Sequence, residues 1–125
     1  MKMLFALMVA ALMGVAQDSQ IDTVGPGVTL PQVTSQVKAV YTTEAIANRI
    51  EGSVGLSVVV QSDGTVGEVK VSRSLDTIYG LDEQAVKAMK QWTFKPGTKD
   101  GKPVAVRVNV DIAFTLKYRT SSVGG

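Results

Sequence analysis

Residues 104–117 read VAVRVNVDIAFTLK, and this stretch decides the fold. Val104, Val106, Val108, Val110, Ile112, Phe114 and Leu116 occupy alternate positions, with Ala105, Arg107, Asn109, Asp111, Ala113, Thr115 and Lys117 between them. Successive side chains on a strand point to opposite faces, so the pattern specifies one apolar face and one polar or small face. As one strand it would run ~43–46 Å at ~3.3 Å per residue, against ~17–20 Å for a usual strand. A small domain rarely holds a neighbour long enough to pair all of that. The expectation is a surplus edge whose unpaired N–H and C=O groups accept an extended peptide, and so a docking module rather than an enzyme.

Upstream, Leu81, Ala85, Ala88, Met89 and Trp92 recur at helical spacing. The spacing predicts an amphipathic helix over residues 81–92, with Asp82 and Glu83 at the end where the helix dipole favours carboxylates. Pro96-Gly97 and Asp100-Gly101-Lys102-Pro103 punctuate the passage from this helix to the last strand. Further upstream, Val54, Leu56, Val58 and Val60 alternate, with Val59 as an exception, before the hairpin signal Asp63-Gly64. A two- or four-residue loop sets Val58 opposite Val69 and Leu56 opposite Val71 on one face, with Ser57–Lys70 and Val59–Glu68 on the other. A three-residue loop would set Val58 against Glu68 and is rejected on that ground.

Ahead of these strands Thr42 fits a helix N-cap, Glu44 the first turn and Gly52 the stop, with Ile46, Arg49 and Ile50 on one face. Tyr41 and Ile46 stand at hydrophobic-staple spacing, which leaves Tyr41 either as a staple or as a partner contact. Helix, strand, strand, helix, strand specifies an α+β fold. Its form is a two-layer sandwich, two helices packed on one face of a three-stranded antiparallel sheet.

The chain has 125 residues, 45% of them apolar, enough for one domain with a modest core. Thirteen basic and 11 acidic residues give a net charge of +2 with no basic run, so no nucleic-acid partner is expected. Histidine and cysteine are absent, which excludes thiol nucleophiles, Ser-His triads, His- or Cys-ligated zinc and disulfides. Lys2 followed by an uncharged apolar run to Ala16 reads as a signal peptide cleaved between Ala16 and Gln17. As a helix that run would span ~21 Å, short of a ~30 Å hydrocarbon core. The expected location is the periplasm, the alternative being the inner membrane through a single uncleaved N-terminal anchor. The expected organisation is a signal peptide at 1–16, a flexible Gly/Pro/polar tether at 17–37 with an extended piece near 28–33, a folded domain at 38–118 and a disordered tail at 119–125.

No catalytic constellation, metal site or cofactor site emerges. Asp82 and Glu83 are accounted for by the helix dipole, and Asp63-Gly64 lacks further oxygen ligands at calcium-loop spacing. Lys95, Lys99 and Lys102 suit a solvated loop or a weak acidic contact. Trp92 and Phe94 read as core, because Trp92 sits on the apolar stripe, with a binding platform as the alternative.

Residues 40–74 and 80–116 resemble the C-terminal domain of TonB-family energy transducers. The resemblance runs roughly from Lys38 to Leu116. It is carried by Tyr41, Gly52, Asp63-Gly64, Leu81-Asp82 with Ala85, Trp92-x-Phe94-x-Pro96, Gly101-x-Pro103-Val104 and the alternating strand ending in Phe114. The family's Tyr-Pro is Tyr41-Thr42 here, and its long proline-rich spacer is not matched. The resemblance implies a periplasmic domain that grips the TonB box, a short N-terminal segment of outer-membrane receptors, as a strand beside its last strand. It implies a part in, or accessory to, energy-coupled nutrient transport, with an inner-membrane proton-driven complex as partner if the chain is anchored. The expected partner-binding residues are Tyr41, Arg107, Val108, Asn109, Val110, Asp111, Ile112, Ala113 and Thr115. The alternative is a homodimer or self-associating envelope scaffold that uses the same edge for itself.

Overall fold

A computed structural model describes residues 21–116. The expected signal peptide, the Ala16–Gln17 cleavage point, Lys117 and the expected tail lie outside the described residues. The elements in chain order are β1 (Asp22–Thr23), β2 (Val28–Thr29), β3 (Gln32–Ser35), α1 (Thr43–Ala47), β4 (Gly52–Val60), β5 (Val66–Arg73), α2 (Leu81–Met89), β6 (Thr93–Lys95), β7 (Thr98–Lys99), β8 (Lys102–Pro103) and β9 (Val106–Phe114). The main sheet has the order β1-β9-β4-β5. Strands β9, β4 and β5 form the expected antiparallel trio, and β1 adds a short parallel fourth.

Alternation builds the core. Val54, Leu56, Val58 and Val60 of β4 are fully buried and meet Val106, Ile112 and Phe114 of β9 on the same face. Ala45 of α1 and Leu81, Ala85 and Met89 of α2 close that face, so both helices share one layer. Burying a Val or Leu side chain is worth ~1.5–3 kcal/mol, so this contiguous cluster carries most of the stability.

The last strand is shorter than its sequence suggests. Strand β9 covers nine residues, and β4, also nine, pairs all of them, from Gly52↔Phe114 to Val60↔Val106. Val104 is held instead by its N–H to the Gly97 carbonyl at 3.0 Å, and Leu116 by its N–H to the Glu51 carboxylate at 2.9 Å. The expected surplus length is therefore absent. What is open is the outer side of β9, because it lies towards the rim of the sheet.

The hairpin register follows expectation at Leu56↔Val71, Ser57↔Lys70 and Val58↔Val69. The loop does not. Gln61 N–H bonds the Thr65 carbonyl at 2.8 Å and Gly64 N–H bonds the Gln61 carbonyl at 2.8 Å, which closes a three-residue loop with Gly64 at φ 89. That register runs to Val60↔Val66, after which Gly67 and Glu68 together oppose Val59. The bulge restores the apolar pairing and keeps Glu68 off the core face. The rejected loop is thus the one used.

Helix α1 starts as expected, with Thr42 Oγ1 accepting from Ala45 N–H at 3.2 Å. The same hydroxyl donates to the Tyr79 carbonyl at 2.8 Å and joins α1 to the loop before α2. The helix ends before Gly52, where Arg49 turns left-handed at φ 55. Ile46 of this helix stays 44% exposed. Tyr41 sets its ring edge-on to Phe114, centroids 5.3 Å apart, and donates its hydroxyl to the Ile50 carbonyl at 2.6 Å. Helix α2 stops at Met89, and Trp92 lies beyond a turn, half-buried, donating Nε1–H to the Val37 carbonyl at 3.0 Å.

Residues 21–37 do not form the expected free tether. Strand β1 pairs with β9, β2 with β7 and β3 with β6, and Thr29 Oγ1 lies 2.7 Å from Thr98 Oγ1. Two-residue strands carry no readable period, so their order comes from the partners they meet. Asp100 and Gly101, both at positive φ, turn β7 into β8.

Candidate docking edge

Which backbone groups β9 offers follows from its pairing. Asp22 N–H bonds the Ala105 carbonyl at 2.9 Å, so Ala105 faces the β1 side. Along a strand the N–H and C=O of alternate residues point to the same side, so Arg107, Asn109, Asp111 and Ala113 face that side too. Val106, Val108, Val110 and Ile112 face β4. Strand β1 reaches only Val106 and Arg107. Asn109, Asp111 and Ala113 therefore present three N–H and three C=O groups that no described residue pairs.

Beside this edge runs an open groove of about 760 Å3, lined by Gln36, Val37, Lys38, Ala39, Tyr41, Trp92 and residues 111–115. Its wall opposite β9 is the strap 36–39, fixed by the Trp92–Val37 hydrogen bond. Of the residues expected to meet a partner, Tyr41, Asp111, Ile112, Ala113 and Thr115 line the groove. Val108 and Val110 lie further along β9, half-buried, on the helix-side face of the sheet. Arg107 is placed differently. Its guanidinium crosses the other face to Ser57 Oγ at 3.0 Å and to the Glu68 carboxylate at 3.1 Å. That hydrogen bond, with the Lys70 charge second, holds the Glu68 carboxyl below its ordinary pKa. Asp111 lies 3.3 Å from Arg73 on the same face.

Trp92 lines the groove, the alternative to its reading as core, whereas no sequence signal marks the strap as a groove wall. Helical spacing favours Trp92 as core, and residues 36–39, Gln-Val-Lys-Ala, are too short a run to carry a period. The sheet's other rim, β5, differs physically from β9. Its register is broken twice, at Gly67–Glu68 and again between Gly55↔Arg73 and Leu56↔Val71, and Glu68, Lys70 and Arg73 line it. Bulges and charges are the usual means of blunting an edge. The register of β9 against β4 is regular throughout.

The two buried carboxylates are structural. Asp76 accepts from Ile78, Tyr79 and Leu81 N–H at 2.9, 3.0 and 3.1 Å, and so supplies the N-terminal cap that Gly80 cannot. Asp82 accepts from Leu75 and Asp76 N–H, both at 2.9 Å, and from the Ser74 hydroxyl. Burial is the largest influence on each and by itself raises the pKa. The hydrogen bonds together outweigh it and leave both carboxyls below the ordinary range. Among the described residues no group of three or more Asp, Glu, His or Cys is placed to hold a metal ion, and no helix is long and apolar enough to cross a membrane.

The described residues thus form an α+β domain in which a regular open strand edge runs beside a groove lined by Tyr41 and Trp92. The chain belongs to the family described as Gram-negative bacterial TonB protein C-terminal, which it matches over residues 37–116. It is 35% identical over 85 residues to Protein TonB of Vibrio cholerae, covering 68% of this chain and 34% of that one. It is 37% identical over 76 residues to Protein tonB2 of Pseudomonas aeruginosa, covering 61% and 28% respectively. The chain thus spans about a third of the length of these relatives. Its fold matches the solution structure of the Pseudomonas aeruginosa TonB CTD with a TM-score of 0.59 at 25% identity, over 82% of this chain and all of that one.

Proposed function

We propose that this domain docks the TonB box of an outer-membrane receptor as an added strand on the open side of β9. The observation that carries the reading is the set of backbone groups at Asn109, Asp111 and Ala113, which lie on a regular strand beside a groove. Each residue offers one donor and one acceptor, and each bond made is worth ~0.5–1.5 kcal/mol net. Fixing the backbone of each guest residue costs ~1–2 kcal/mol, so the bonds do little more than offset ordering. Affinity is then decided by guest side chains that cover Val108, Val110 and Tyr41. Binding is weak to moderate and favours guests with apolar residues at alternate positions.

In this reading the chain works in the periplasm after export by its N-terminal segment. It serves energy-coupled uptake across the outer membrane, or acts as an accessory to it, as a docking module rather than an enzyme. Titrating labelled domain with TonB-box peptides tests this. The amides of Asn109, Asp111 and Ala113 are expected to move most, and unmoved β9 amides at saturating peptide would defeat the proposal. Sedimentation separates the self-association alternative, which requires a tight dimer with the same three amides protected.

A further inference from the structure

We infer that β1 is an internal stop that fixes the register and maximum length of a guest strand, an inference that rests on the docking function proposed above. Strand β1 is already a miniature added strand. It lies on the same side of β9 that a guest would use, in register Asp22↔Val106 and Thr23↔Arg107. Three contacts hold it there: Asp22 N–H to the Ala105 carbonyl at 2.9 Å, the Asp22 carboxylate to Lys99 at 3.6 Å, and the pairing of β2 with β7. Because β1 runs parallel to β9, its register continued by one residue puts Val24 level with Val108. There the chain leaves the edge through Gly25-Pro26-Gly27, closed by the Val28 N–H to Gly25 carbonyl bond at 3.1 Å.

The free edge is thus bounded at one end by β1 and runs from Asn109 towards Thr115. At ~3.4 Å per residue, reaching Asn109, Asp111 and Ala113 takes a guest of about five to seven residues. A longer guest in the same register meets Thr23 and Val24, and gains nothing unless it expels β1. The guest is therefore a short extended segment, with apolar side chains on the face towards Val108, Val110 and Tyr41, ending near Asn109.

The test uses the full-length chain and two peptides of alternating valine and threonine, each closed by a lysine. One has seven residues, matching 109–115, and the other eleven, matching 105–115. The unaltered protein is expected to bind both with Kd values within about two-fold, with the Asp22 and Thr23 amides unmoved. Asp22→Pro removes the N–H to Ala105 and the partner of Lys99. It is expected to tighten the longer peptide by about three- to ten-fold and leave the shorter one unchanged, the equivalent of one hydrogen bond returned to the guest. Lys99→Met should shift the longer peptide in the same direction but less. If the longer peptide already binds the unaltered protein more tightly, and Asp22→Pro adds nothing, the stop is refuted while docking stands. If neither peptide perturbs β9, docking itself is refuted and the stop loses its role.

Discussion

Proline at two adjacent positions of β9 separates the open side from the paired side. Asn109 N–H points to the open edge, so Asn109→Pro removes no bond to β4. Its side chain is exposed, and the preceding Val108 is already in a strand, the conformation that proline favours in its neighbour. The folded domain should lose no more than ~1 kcal/mol, since proline is tolerated on an edge where the N–H faces solvent. Val110 N–H instead faces Leu56 in the ladder. Val110→Pro removes that bond and leaves the Leu56 carbonyl without its donor, at a cost of ~2–4 kcal/mol. Against a domain stability of ~5–15 kcal/mol, that difference is plain in a urea titration. Peptide binding should reverse the order of harm among folded variants. Asn109→Pro deletes one of three outward donors and puts a ring against the guest carbonyl, lowering affinity by roughly five- to thirty-fold. Equal destabilisation by both prolines would show that the assignment of sides is wrong. An Asn109→Pro domain that folds and binds normally would place the guest elsewhere.

Asp82→Ala should cost ~2–4 kcal/mol by urea denaturation, because the N–H groups of Leu75 and Asp76 lose their acceptor. Asp82→Asn retains an acceptor oxygen and should cost clearly less; equal losses would contradict the role given to Asp82 as acceptor for the Leu75 and Asp76 N–H groups. The folded pKa values of Asp76 and Asp82 lie below the unfolded one, so their stabilisation is complete above the unfolded carboxylate pKa of ~3.9 and is lost as pH falls through the lower folded values. Urea midpoints should therefore fall on acidification below about pH 4, and an Asp76→Asn, Asp82→Asn double variant should show a flatter profile. Gly64→Ala places a Cβ 2.1 Å from the Phe94 carbonyl at a φ of 89, and should cost more than ~1 kcal/mol in a thermal or urea melt.

The sheet and the helix layer were legible because their residues carry a period. Val54, Leu56, Val58 and Val60 alternate, and Leu81, Ala85, Ala88 and Met89 recur at helical spacing. Where the period ran on past the element, the boundary was overshot: Val104 and Leu116 keep the alternation but bond outside β9, and Trp92 keeps the stripe but turns to Val37. The hairpin loop was missed because its bulge at Gly67–Glu68 cancels the one-residue slip, so pairing logic alone could not detect it. In the leader, β2 and β3 overlap the extended piece expected near 28–33. By contrast, β1 and the pairings of all three carry no signal of their own, because each strand is held by a partner distant in sequence. The open side of β9 was anticipated through its length, although its actual cause is its place in the sheet order.

The most direct measurement is amide hydrogen exchange along β9 in the free monomeric domain. Asn109, Asp111 and Ala113 should exchange rapidly while Val108, Val110 and Ile112 between them stay protected, and a bound peptide should slow the first set alone. Protection of all six in the free monomer would mean that the edge is already occupied, and would contradict the account.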